Sequence, residues 1–401
     1  MRSASGLVTG SVEIGVDCPQ LAIAGCGPVV YRDTLSVCDE RGGNRVGATT
    51  TMPATGTREA VRTLNPGYFA LVMASGMVSM AMYHQNAYRV SVLLLWVTAL
   101  SYLVLVAVSA VRVIAFPHEF RADLSDSGRA FGLFTFVSAT NVLGARLVID
   151  GHDGIAVGLL MVSSLAWLVL GYLIPWTAVL GTSERPVVRR ANGTWFIWVV
   201  ASQSVAVLAA VLEVDMAEPW RQGLALLAVV SWSIGVFLYG AAGIFVALRL
   251  LLYPLLPEDL IPQYWVAMGA TAITVLAGAR IVEMAEAPMV TATRGLIAGT
   301  SVMFWAFGTW LIPPLIAAGV WRHVVHHISL RYEAPWWSVI FPLGMYGVGS
   351  HYLGQADHLP IVYHIGSVQS WIALGAWAIT FVLMLHHLAV TLGPEARRSP
   401  R

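Results

Sequence analysis

Residues 335–354 read PWWSVIFPLGMYGVGSHYLG, and this stretch decides the fold. Its length is that of one helical crossing of a bilayer's hydrocarbon layer. It opens on Trp336 and Trp337, rings suited to a membrane–water interface where one edge is wet and the other apolar. Phe341-Pro342 follows, close to the middle of the span. Proline has no N–H for the Ser338 carbonyl and crowds that turn, so a kink is expected there. Gly344, Gly347, Gly349 and Ser350 then give the helix one almost bare side. A large ring beside a break above a smooth surface fits a plug in a narrow conduit. It fits a lipid-facing ring beside a packing groove equally well.

The rest of the chain has the same character. It is 57% hydrophobic and 11% charged, with a mean hydropathy of +0.71, whereas soluble domains carry about a quarter charged residues. Apolar segments fall at about 66–83, 90–115, 130–149, 154–180, 195–212, 223–252, 264–282, 295–320, 335–353 and 364–388, each roughly the length of one crossing. Short links join them in pairs. Chain inside lipid must satisfy its own backbone hydrogen bonds, so the pairs are helical hairpins. The expected fold is an all-α integral membrane protein of ten transmembrane helices, arranged as five helical-hairpin repeats around a central pore. The first members of the pairs start about every 64 to 72 residues, a repeat length in its own right. They also carry small or hydroxylated residues through their middles, as in ALVMASGMVSM, FVSATNVLGAR and MGATAITVLAGAR. The second members are heavier, as in LLLWVTALSYLVLVAV. Small residues let helices approach closely and bulky aliphatics suit lipid, so the economical arrangement has light helices inside and heavy ones outside.

Arginine sets the orientation. Arg58, Arg62, Arg112, Arg121, Arg129, Arg185, Arg189, Arg190, Arg249, Arg322, Arg331, Arg397 and Arg398 gather on one side, and acidic residues such as Asp150, Glu213 and Glu283 on the other. The side rich in arginine is expected to be cytoplasmic, which makes this a multi-pass cell-membrane protein with both termini inside. Residues 1–62 lack a sustained apolar run and read as a flexible cytoplasmic tail. No stretch there has the apolar core of a signal peptide, and Met52 is an alternative start. Residues 63–390 form the transport domain, and 391–401 a second cytoplasmic tail. A net charge of +1 offers nothing to nucleic acid.

Few residues invite chemistry. His323, His326 and His327 spell H-x-x-H-H, a spacing that can present imidazoles to iron on one helical face. Of the other histidines, His351, His358, His364, His386 and His387 divide between the two membrane sides, so they do not complete a di-iron site, and the triplet reads as part of a basic loop. Cys18, Cys26 and Cys38 fit no common zinc spacing. No Walker, dinucleotide-binding or nucleophile-elbow motif is present, so neither an enzyme nor a resident cofactor or metal is expected. Arg146 and Arg280 occupy matching places near the outer ends of their segments and are candidate outer-mouth charges. Asp150 and Glu283 stand at helical-neighbour spacing to them, so local pairing is expected as well. His351, near the outer end of the Phe341 segment, is the candidate for proton coupling. Donors within the spans include Ser75, Ser138, Thr140, Asn141, Ser202, Gln203 and Thr271.

LNPGYFALVMASGMVSM (64–80) and WWSVIFPLGMYGVGS (336–350) carry a resemblance to the tellurite-resistance/dicarboxylate transporter family. That family includes bacterial tellurite-resistance permeases, the fungal malate permease and sulfite pump, and plant slow anion channels. Trp337, Phe341 and Pro342 fall in register with the family's Trp-x-x-x-Phe-Pro ninth helix, and the resemblance spans about residues 60–390. It implies transport of small anions: C4-dicarboxylates such as malate, or oxyanions such as tellurite and sulfite. It further implies that Phe341 is the pore gate, with Pro342 and Gly344 shaping the bend that places it. A proton-coupled carrier is the alternative reading. Membrane lipid, small anions and a homotrimer are the partners it suggests.

Overall fold

The structure, a computed structural model, describes residues 57–181, 185–214, 216–284 and 287–392. The tail expected over 1–62 overlaps this region only at its end, where Thr57–Arg62 form the short helix α1. The Arg62 carbonyl accepts a hydrogen bond from Arg112 Nε at 3.1 Å, which ties α1 to the body. The three cysteines and Met52 lie outside the described residues.

Five helical hairpins follow: α2 (Ala70–His84) with α3 (Tyr88–Ala115), α5 (Phe134–Ile149) with α6 (Asp153–Ile174), α7 (Phe196–Glu213) with α8 (Trp220–Leu252), α9 (Val266–Val282) with α10 (Pro288–Val320), and α11 (Trp337–Ala356) with α12 (Pro360–Leu392). The amphipathic α4 (Pro117–Ser125) links the first two. The first member of each hairpin contacts the first member of the next, and α11 closes the ring onto α2. In the spanning windows of α5, α7 and α9, 72–94% of residues are buried, against 6–28% in the second members. Light helices inside and heavy helices outside is therefore the observed order, and it follows from bulk. Glycine and serine let the five inner backbones come together, while Leu93, Trp96, Phe237, Met303 and Ile379 stand exposed on the outer ring.

Among the described residues, eight helices are long and apolar enough to cross a membrane by length and composition. The remaining two hairpin members, α2 and α11, are enclosed inner helices, diluted in hydropathy by the small and polar residues that let them pack there. Helix α11 continues without interruption through Pro342. Its pyrrolidine ring faces the bare Cα of Gly269 on α9, where an added Cβ would stand 2.8 Å from Pro342 Cγ.

One polar contact recurs around the ring, from the outer helix of each hairpin to the inner helix of the next. Trp167 Nε1 donates to Ser202 Oγ (2.8 Å), Trp305 Nε1 to Ser350 Oγ (2.9 Å), Trp377 Nε1 to Ser75 Oγ (2.9 Å) and Trp232 Nε1 to the Thr274 carbonyl (3.1 Å). The fifth position pairs the Tyr102 and Thr140 hydroxyls at 3.0 Å. Lipid competes poorly for such donors, so each contact fixes the rotation of an outer helix that apolar packing alone would leave free.

Candidate functional site

Each inner helix is preceded by a 3-10 turn: Pro66–Phe69, Ala130–Leu133, Gly193–Trp195, Pro262–Trp265 and Ala334–Trp336. Neighbouring turns touch one another in a closed ring. Short polar side chains start two of them: Asn65 and Asn192 accept from the backbone N–H two residues on, each at 2.8 Å. In the loop ahead of a third, Asp126 does the same for Gly128 at 2.7 Å. Gly193 is required because a Cβ there would run into the Gln263 carbonyl of the adjoining turn. The ring encloses a vestibule of about 50 Å³, lined from all five turns by residues including Gly67, Arg129, Thr194, Gln263 and Ser338. Five helix N-termini therefore converge on one opening, each adding the partial positive charge of its aligned peptide dipoles.

Farther in, a second space of about 10 Å³ sits between the five inner helices. Met77 and Met80, Asn141 and Val142, Ser204 and Val207, Ile273 and Leu276, and Met345 line it. That volume is at the lower limit for one water. Ser338, Phe341 or Pro342, and Met345 follow one another at three- to four-residue steps along one face of α11. Ser338 lines the vestibule and Met345 the inner space, so Phe341 occupies the level between them. Its ring is buried, with 1% exposed, and Cε1 lies 3.2 Å from where a Gly269 Cβ would stand. Gly344, on another side of α11, lets α2 approach. A Cβ there would lie 3.3 Å from Val78 Cγ2 and 3.4 Å from Met77 Cβ.

The hydroxyl and amide donors expected to line a pathway are mostly engaged elsewhere. Ser75, Thr140 and Ser202 hold the outer aromatic anchors. Ser138 and Thr271 turn back on the Phe134 and Met268 carbonyls, and Gln203 Nε2 donates to the Trp232 carbonyl. Only Asn141 of that group reaches the central space, where its Nδ2 donates to Ser204 Oγ at 2.9 Å. A hydroxyl buried between packed helices needs a hydrogen-bond partner, and the nearest carbonyls and indoles supply it.

At the far end of the inner helices both arginines pair locally, as their spacing indicates. Arg280 Nη1 lies 3.0 Å from Glu283 Oε2. Arg146 Nη1 lies 2.9 Å from Asp150 Oδ1, an ion pair whose angle falls short of a hydrogen bond. Arg146 is fully buried and also donates from Nε to Ser79 Oγ and from Nη2 to Ser91 Oγ. His351 is brought against a residue that sequence reasoning overlooked. Its ring stacks on His84 with centroids 4.6 Å apart. Two of the histidine triplet are held by backbone: His323 Nδ1 lies 2.8 Å from the Ile328 carbonyl, and His326 Nδ1 3.1 Å from that of Trp321. Among the described residues no three His, Cys, Asp or Glu side chains gather as a metal site would require. Before α11, burial pushes the Tyr332 hydroxyl up to about 12. It stays neutral there and accepts the Trp337 indole N–H at 2.9 Å.

With this geometry in place, the comparison with known proteins is direct. The sequence profile of the voltage-dependent anion channel family (SLAC1) matches residues 63–385. The chain belongs to this family. An uncharacterized transporter of Methanocaldococcus jannaschii is 24% identical over 330 residues, covering 81% of this chain and 93% of the relative. A second uncharacterized transporter of the same organism is 23% identical over 80% of this chain and 94% of its own length. An uncharacterized membrane protein of Mycobacterium tuberculosis is 68% identical over 164 residues, which are 41% of this chain and 83% of that protein. The expected membership in the tellurite-resistance/dicarboxylate transporter group holds, and with it a membrane fold and anion transport.

Proposed function

We propose that the protein conducts small anions along the axis of its inner ring, with Phe341 as the obstruction. The substrates are C4-dicarboxylates such as malate, or oxyanions such as tellurite and sulfite. The observation that carries this reading is the order of residues along one face of α11. Vestibule-lining Ser338, buried Phe341 and Met345 at the inner space succeed one another, an order that supports a Phe341 ring between the two spaces. The converging N-termini supply a fixed attraction for an anion at the vestibule without burying a full positive charge. The vestibule end is cytoplasmic in this reading, because the arginine-rich loops belong to it.

Reconstituted into proteoliposomes, the wild-type protein should show slow malate or nitrate flux, and Phe341→Ala a faster one. Unchanged flux in a folded Phe341→Ala protein would remove Phe341 as the gate. Absence of flux for every anion in both proteins would remove the transport reading itself.

A further inference from the structure

The C-terminal end of the inner ring holds a cluster that the gate does not use. His84, the last residue of α2, and His351, on α11, stack with their planes 30° apart. His351 is 4% exposed. The buried His351 Nδ1 and His84 Nε2 both lack a hydrogen-bond partner. Each histidine has a tyrosine beside it in sequence, and each of those tyrosines carries a guanidinium. Arg146 Cζ lies 5.4 Å from the Tyr83 ring centroid, and Arg280 Cζ 4.5 Å from that of Tyr352. Both arginines are close enough to act electrostatically on His84. His84, Arg146 and Arg280 each stand one helical turn beyond a residue lining the central space, namely Met80, Val142 and Leu276. The cluster therefore lies above that space on the same helix faces.

The charge arrangement points to a ligand. Asp150 and Glu283 already neutralise the two arginines, so with neutral imidazoles the cluster carries no net charge. The ionisable groups around the histidines are Tyr83 from α2, Tyr88 from α3, Arg146 from α5 and Asp150 just after it, Arg280 from α9 and Glu283 just after it, Tyr352 from α11, and Tyr363 and His364 from α12. Neither carboxylate bonds to an imidazole. A buried ring nitrogen without a partner is costly unless something occupies it for part of the working cycle. An oxyanion or carboxylate supplies the missing acceptor, and a proton taken up by one ring supplies the missing N–H donor and the balancing charge.

We propose that His84 and His351, flanked by Arg146 and Arg280, form a second binding site on the pathway, in which a carboxylate or small oxyanion is held together with one proton. The proton adds to an unpartnered ring nitrogen, and the N–H so formed donates to the anion. Because anion and proton each favour the other's bound form, each raises the other's affinity by the same factor. The inference rests on the transport reading for its ligand class, and binding measurements separate the two.

Isothermal titration calorimetry of the full chain in detergent, with nitrate as a non-titrating probe and malate as a dicarboxylate, tests it at pH 6 and pH 8. Buffers of different ionisation enthalpy report the protons taken up. The expected result is a nitrate affinity approaching about a hundredfold higher at pH 6 than at pH 8, with close to one proton bound per anion, as one linked proton over two pH units requires. His84→Gln and His351→Gln should each abolish the proton uptake. His84→Gln is the safer variant, since His84 is only partly buried, and gel filtration reports whether either has folded. Equal affinity at both pH values, or full proton uptake retained in a folded His84→Gln protein, overturns the proposal. Anion flux together with pH-independent binding defeats this inference alone. Proton-linked binding without flux leaves the inference standing and defeats the transport reading.

Discussion

Gly269→Ala is the sharpest test of how the Phe341 ring is held, because it disturbs the ring without removing it. The new Cβ would lie 2.8 Å from Pro342 Cγ and 3.2 Å from Phe341 Cε1. The first distance is too short for real carbon contacts, so Pro342, Phe341 or both must move. Overpacking of this kind costs about 1–3 kcal/mol. The displaced part of α11 is the level between the vestibule and the inner space. Gly295→Ala on the outer helix α10 is the control, since a Cβ there meets nothing within 4 Å. Proteoliposome flux of nitrate or malate should rise in Gly269→Ala and stay near wild type in Gly295→Ala. The double variant Gly269→Ala/Phe341→Ala should conduct no better than Phe341→Ala alone, because the two changes act through the same ring. Flux effects that add in full would place Gly269 and Phe341 on separate barriers and refute the argument, as would wild-type flux in a folded Gly269→Ala protein.

Two further outcomes concern the scaffold. Trp377→Phe removes the indole donor to Ser75 while keeping an aromatic ring, and should lower stability by about 0.6–2 kcal/mol, the range for interhelical hydrogen bonds in membranes. Thermal unfolding in detergent measures this, and anion flux should be unaffected because Ser75 does not line the central space. Gly193→Ala drives a Cβ into the Gln263 carbonyl and should break the ring of turns at the vestibule. A much larger loss of thermal stability is expected than for Gly154→Ala, where a Cβ meets nothing within 4 Å.

The fold was legible because it depends on bulk and hydropathy averaged over whole segments. The light and heavy members of each hairpin were separable by their glycine, serine and leucine content alone, and they sorted into inner and outer rings. The two arginine pairs were legible because three- and four-residue spacing is local. What sequence did not expose depends on rotation about helix axes. Ser75 and Ser202 look like pathway donors when their segments are read alone. Only the three-dimensional arrangement shows Trp377 and Trp167, on other hairpins, bonded to them. His84 escaped notice for a similar reason. It is a single histidine at the end of a segment, and its partner His351 lies far along the chain. The vestibule was half visible: Asn-Pro-Gly at 65–67, Asp-x-Gly at 126–128 and Asn-Gly at 192–193 are turn signals that recur before successive inner helices.

The two spaces also constrain what opening must accomplish. Moving a bare anion from water into a low-dielectric passage costs on the order of 20 kcal/mol in the idealised limit, and several kcal/mol after protein relaxation. The inner space is lined by Met77, Met80, Val142, Val207, Ile273, Leu276 and Met345, with Asn141 and Ser204 as its polar members. The amide of Asn141 is already bonded to Ser204. Such a lining replaces little of a lost hydration shell. Displacing Phe341 is therefore useful only insofar as it lets water follow, which makes wetting of the passage the gated event. A polar substitution below the ring should then act in the same direction as removing the ring. Met345→Ser, one turn beyond Phe341, should raise flux with Phe341 still in place. If it lowers flux or leaves it unchanged in a folded protein, the barrier is the volume of the ring and not the dryness of the space behind it.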